Sequence, residues 1–169
     1  MTIVLKVYGA HKSILGVCLG QQTIVEYFGG KLENLYEVKH GVSSELYHYD
    51  NCNLFANIDN KFLVGHYHSW VVSKDLLPNE LEVTAVNSEG LIMAIKHREL
   101  DIKALQFHPE VDFMVHIRWL FLVLMKKPTI LFRKGSQNLF YQLFLRFKYN
   151  KSISLWLDSF LDNYLLAQK

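Results

Sequence analysis

Hydrophobic residues follow two different rhythms along this chain. As far as Glu110 they come in short runs broken by turn residues, the pattern of buried or half-buried strands. "SILGV", Ser13 to Val17, is apolar and partly β-branched and predicts a buried strand. From Gln21 to Phe28 the spacing suits a helix, which the pair Gly29–Gly30 stops. A strand-rich stretch follows. "KLENLYEVKHG" alternates imperfectly, "ELYHY" weakly, and "KFLVGHYHSWVV" is apolar and aromatic around a polar centre. Leu81–Val86 and Leu91–His97 predict two strands joined by a turn at Asn87–Gly90. "IKALQF", Ile102 to Phe107, predicts another, ending at His108-Pro109-Glu110.

Beyond Glu110 the period becomes helical. Phe113, Ile117, Leu120, Phe121 and Leu124 form one stripe, and Ile153, Trp156, Leu157, Phe160, Leu161, Tyr164 and Leu165 another. Pro128 and Gly135 punctuate the space between them, and Leu139–Phe147 is a third helical candidate. Charge changes at the same place. Residues 1–110 hold 9 Lys/Arg against 13 Asp/Glu, and residues 111–169 hold 9 against 3. The expectation is a body over residues 1–110 and a basic, helical tail over 111–169.

Composition narrows the function classes. The 169 residues suit one domain with a sizeable core, half of them are hydrophobic, and the net charge of +2 is too small to suggest nucleic acid. Two cysteines, Cys18 and Cys52, make no disulfide framework and no zinc spacing. No signal peptide is read at the start. "WLFLVLM", Trp119–Met125, is far shorter than the ~20 residues of a membrane span. A cytoplasmic protein with reduced thiols is therefore expected.

The chemistry centres on Gly16-Val17-Cys18-Leu19-Gly20, between the predicted strand and helix. A G-x-C-x-G there has the form of a nucleophile elbow, a turn so tight that only hydrogen fits on either side of the nucleophile. The bend lifts the sulfur at the sheet's carboxyl edge and sets it near a helix N-terminus, whose positive dipole end favours thiolate. The backbone N–H of Leu19 then points to where an oxyanion would form. A small buried cysteine with glycine neighbours fits the same letters. A nucleophile needs a base, and His108, ending a predicted strand, is the best placed of the eight histidines. Pro109 biases His108 toward extended backbone, so Glu110 falls on the same side and can hold the imidazole, giving Cys–His–Glu. Cys52 reads as structural or as an exposed bystander. His66 and His68, at i and i+2, have no carboxylate or cysteine beside them in the sequence, which favours a strand face over a metal site.

"ILGVCLGQQTI…FGGKL", "GHYHSW" and "LQFHPE" together resemble the class I (triad) glutamine amidotransferases, above all the glutaminase component of anthranilate synthase and its relative in aminodeoxychorismate synthase. The resemblance runs from Ser13 to Glu110. It implies an α/β fold, an open, mostly parallel, flavodoxin-like three-layer sheet flanked by helices. It implies a cysteine that attacks the side-chain amide of L-glutamine, releasing ammonia to a chorismate-binding partner subunit through a glutamyl thioester. By position, Cys18 matches the nucleophile, His108 the general base and acid, and Glu110 its orienter. Gln22 matches the glutamine-contacting residue of the elbow helix, and Ser69 and Trp70 the segment that holds the substrate's amino-acid end. No cofactor is implied for this chain, with Mg²⁺ expected on the partner subunit.

The resemblance also implies differences. Such proteins begin upstream with a first strand and a glycine- and proline-rich loop, so the expectation here is an N-terminally truncated version that lacks the first strands. Gln21 stands where they usually carry histidine, and Val111 where serine follows His-Pro-Glu. Two other readings compete with the glutaminase. One is a non-catalytic interaction protein whose basic aromatic tail binds a partner groove or an anionic membrane surface, against which the tail stripes could simply cover bare sheet edges. The other is a cysteine hydrolase acting on another amide.

Overall fold

The computed structural model describes residues 2–49, 52–56, 58–109 and 129–132. The tail stripes, the helical candidate Leu139–Phe147, Val111 and Glu110 lie outside the described residues. The chain runs through helix α1 (Thr2–Tyr8), strand β1 (Ser13–Val17), helix α2 (Leu19–Tyr27), β2 (Leu32–His48), a 3-10 turn at Asn53–Phe55, β3 (Lys61–Val72), β4 (Leu81–Asn87), β5 (Ile92–His97), β6 (Ile102–Leu105) and β7 (Thr129–Phe132). The strands make one open sheet in the order β3-β2-β4-β5-β6-β1-β7.

This α/β sheet is mixed. β1 runs parallel to β6 and to β7, whereas β2–β3, β2–β4, β4–β5 and β5–β6 are antiparallel. Connection length explains the difference from a mostly parallel sheet. Only short links join β4 to β5 and β5 to β6, and a short link cannot return a chain to run parallel. The two stretches expected as separate strands before residue 50 are one long β2, with register shifts between Asn34 and Lys39 and between His40 and Val42 where Gly41 takes φ 68. Those irregularities break the two-residue period on which the sequence reading depended. In the tail, the described segment Thr129–Phe132 is a strand, which pairs with β1 on the side away from β6.

β1 separates two cores. Ile14 belongs with Leu5, Ile24, Val25, Ile92, Ile95 and Ile102, under α1 and α2. Leu15 and Val17 belong with Cys18, Leu46, Cys52, Phe55, Met93, Leu105 and Phe107 on the opposite face. Successive residues of a strand point to opposite faces, so Gly16 shares the helix side with Ile14. There a Cβ would sit 2.7 Å from the Gly20 carbonyl carbon and 2.7 Å from Ile24 Cδ1. Glycine at 16 is what lets α2 lie this close to the strand. α2 ends as its sequence foretold: Gly29, at φ 90, donates to the Glu26 carbonyl at 3.0 Å and Gly30 to that of Val25 at 2.9 Å, the Schellman pattern.

Candidate active site

The site forms where the carboxyl ends of the parallel neighbours β1 and β6 meet. Their register pairs Val17 with Leu105, and the ladder extends one residue further, the Cys18 N–H donating to the Leu105 carbonyl at 2.7 Å. The chain then turns abruptly into α2. Cys18 has φ 53 and ψ −105, and among the described residues it alone of the non-glycines has a positive φ. Such a conformation costs of order 1–3 kcal/mol and persists only where the surroundings impose it. Here they do: β6 holds the Cys18 N–H, and the Cys18 carbonyl accepts from the Gln22 N–H at 3.2 Å in the first helical turn. The sulfur is largely buried, at 8% exposure for the residue. Leu19 opens α2, so its N–H belongs to the first turn, which has no acceptor within the helix.

A buried amide relay runs from β3 to this sulfur. Gln22 Nε2 donates to the Trp70 main-chain carbonyl at 3.0 Å and to Gln106 Oε1 at 3.3 Å. Gln106 Nε2 in turn lies 3.7 Å from Cys18 Sγ, within hydrogen-bonding reach of a sulfur acceptor. Three residues expected in the site from sequence, Cys18, Gln22 and Trp70, are thus tied together. Trp70 joins through its carbonyl, and its side chain stays about half exposed. Ser69 precedes it on β3, half-buried. Gln21 turns elsewhere, its Nε2 reaching the Ile92 carbonyl at 3.4 Å.

His108 follows β6 by three residues and is half-buried. Its ring meets that of Tyr67 edge-on, centroids 6.0 Å apart. Glu110, its expected orienting carboxylate, lies outside the described residues. Beside this corner stands a buried imidazole pair. His66 Nδ1 and His68 Nε2 are 3.0 Å apart, and Ser44 Oγ lies 2.7 Å from His66 Nε2. Burial lowers the pKa of both, that of His68 to about 4, with the charge of His66 as the next cause. The rings are neutral near pH 7 and serve as a hydrogen-bonded strand-face pair. Among the described residues no three His, Cys, Asp or Glu side chains gather as metal ligands. Cys52 is buried, and burial raises its thiol pKa.

Sequence reasoning did not single out Gln106. It stands in "LQFHPE" at the end of an apolar strand, and its partners Gln22 and Cys18 are 84 and 88 residues away in sequence. The available signal was a glutamine set between Leu105 and Phe107 in an apolar run, where a buried polar side chain needs partners.

Comparison with known proteins adds the following. The family model for glutamine amidotransferase class-I matches residues 1–126. The anthranilate synthase component 2 of Methanothermobacter thermautotrophicus is 46% identical over 99 residues, which cover 59% of this chain and 50% of that protein. The aminodeoxychorismate/anthranilate synthase component 2 of Bacillus subtilis is 42% identical over 97 residues, 57% of this chain and 50% of that one. Among solved structures, a Thermoplasma acidophilum protein assigned to GMP synthase superposes with a TM-score of 0.64. It is 23% identical, and the match covers 72% of this chain and 58% of that one, a likeness of fold. The chain spans about half the length of the curated relatives it matches.

Proposed function

The chain belongs to the class-I glutamine amidotransferases, and from that membership we propose that it is the glutamine-hydrolysing component of an anthranilate synthase. What carries the proposal is the backbone of Cys18, held at φ 53 on a strand-to-helix bend with its sulfur at the end of a buried relay. A structural cysteine has no need of that strain, whereas a nucleophile raised to meet substrate does.

In this reading Cys18 Sγ gives its proton to His108 and attacks the side-chain amide carbon of L-glutamine. The carbonyl electron pair moves onto oxygen, where the Leu19 N–H stabilises it. The pair returns as His108 passes the proton to nitrogen. The C–N bond breaks, ammonia leaves, and a glutamyl thioester remains on Cys18. Water, giving a proton to His108, adds to the thioester, and the C–S bond breaks to release glutamate and the thiol. Glu110 orients the imidazole and stabilises its charged form. Gln22 contacts the glutamine and the backbone of the Ser69–Trp70 segment holds its amino-acid end, a task suited to groups already fixed before the ligand arrives. The ammonia passes to a chorismate-binding synthase subunit.

The names of the relatives support the anthranilate pathway. A second reading, the aminodeoxychorismate pathway, has its support in the Bacillus subtilis relative, whose name joins the two. The chemistry on this chain is the same in both. The test is glutamate release from L-glutamine by the chain, alone and with a chorismate-binding synthase partner, against Cys18→Ala. The expected result is hydrolysis stimulated by the partner and lost in Cys18→Ala. Equal background rates in all samples would overturn the proposal.

A further inference from the structure

Gln106 is fully buried, just past the end of β6 and level with the residue that follows β1. Burying an amide costs free energy unless its polar groups find partners. Both ends of this one do, with Gln22 at one end and Cys18 at the other. The two ends of an amide have nearly the same shape, so the network must decide which faces the sulfur. It does so unambiguously. The Trp70 main-chain carbonyl can only accept, so it receives the NH₂ end of Gln22, at 3.0 Å. The same NH₂ group faces Gln106, which must answer with its oxygen, at 3.3 Å. The remaining end of Gln106 is then its NH₂, and that is the end 3.7 Å from Cys18 Sγ. A carbonyl on β3 thereby fixes the polarity of the whole relay as far as the elbow.

An N–H donor aimed at sulfur favours the negatively charged thiolate and restrains where it points. We propose that Gln106 is a positioning residue for the glutaminase nucleophile, its side-chain NH₂ aiming the Cys18 sulfur while its carbonyl fixes Gln22. This rests on the reading of Cys18 as nucleophile, but it can be tested without turnover.

The test uses the full chain with Gln106→Met, which keeps the reach and removes the donor, and Gln106→Glu, which keeps the shape and replaces the donor with an acceptor. Carbamidomethylation by iodoacetamide at about pH 7 is followed separately at Cys18 and Cys52 by peptide mass spectrometry. Only the thiolate reacts. Loss of one donor to the reacting sulfur changes its alkylation rate by a few-fold, because the sulfur's own reactivity offsets part of the lost stabilisation. Cys18 labelling should therefore slow about threefold in Gln106→Met and at least as much in Gln106→Glu, with Cys52 unchanged. Cys52 shares its core cluster with Cys18 and Phe107, so it registers loosening of that core. A purely structural role for Gln106 would accelerate both thiols, and that result would overturn the proposal. Cys18 rates within about twofold of wild type in both variants would overturn it as well. If labelling follows the expected order while the wild-type chain hydrolyses no glutamine, the functional reading fails and the positioning role stands.

Discussion

Alanine at position 16 tests whether the elbow depends on contact between helix and strand. The added methyl would sit 2.7 Å from the Gly20 carbonyl carbon, 2.8 Å from the Gly20 oxygen and 2.7 Å from Ile24 Cδ1. Carbon atoms prefer about 3.5–4.0 Å, so all three contacts are overlaps. In an unstrained strand alanine would gain about 0.5–1 kcal/mol over glycine. Overpacking a filled core costs about 1–3 kcal/mol, and two of these three neighbours are main-chain atoms that cannot swing aside. We expect Gly16→Ala to lose about 1–3 kcal/mol in urea unfolding. Ile24→Val separates the contributions because it removes Cδ1 alone. On its own it should cost about 0.5–1.5 kcal/mol, since Ile24 is 1% exposed. In the Gly16→Ala background it should cost less, by a coupling of about 0.5–1 kcal/mol, without restoring wild-type stability. A Gly16→Ala chain within about 0.5 kcal/mol of wild type would refute the close-approach argument. So would full rescue by Ile24→Val, which would leave the Gly20 backbone with no part in the constraint.

Three further outcomes follow from the same geometry. Cys18→Gly should be more stable than Cys18→Ala by about 1 kcal/mol in chemical denaturation, because glycine accepts φ 53 without the strain that alanine keeps; the opposite order would contradict a strained elbow. His68 has a pKa of about 4 in the folded chain against an ordinary 6.5 unfolded, so between those values the unfolded state takes up a proton that the folded state refuses. This contribution to stability is complete above pH 6.5 and falls by up to about 3 kcal/mol on acidification through pH 4; His68→Gln should flatten the unfolding free energy over that window, and an unchanged slope would count against it. His108→Asn should lower glutamine hydrolysis by about 10²–10⁴ while leaving the melting curve close to wild type, since the side chain is half-buried, and an active variant would remove His108 from the base's role.

Much of this fold can be read from the letters, and the parts that cannot have identifiable physical causes. β1 has the bounds its apolar run predicts, and α2 stops at Gly29–Gly30 because that pair completes a Schellman cap. α2 begins at Leu19, earlier than its spacing suggests, because Cys18 itself serves as the cap. β2 is longer than any strand its alternation supports, since register shifts near Asn34 and His40 put successive side chains out of step. The strand at Thr129–Phe132 lies in a stretch read as a break between helices. Four residues, three of them apolar, are too few for periodicity to separate strand from helix. In the site, Cys18 and Gln22 stand out because the elbow is local in sequence. Gln106 does not, because what it does is defined by groups brought to it from β1, α2 and β3 by folding.

The most direct measurement is to quench the chain during incubation with L-glutamine and digest it at low pH, where a thioester survives. The peptide that carries Cys18 should gain the mass of one glutamyl group, and Cys18→Ser and His108→Asn should gain none within the same time. A wild-type chain that turns over glutamine with no acyl group on that peptide, or with one on Cys52, would contradict the assignment of Cys18 as the nucleophile.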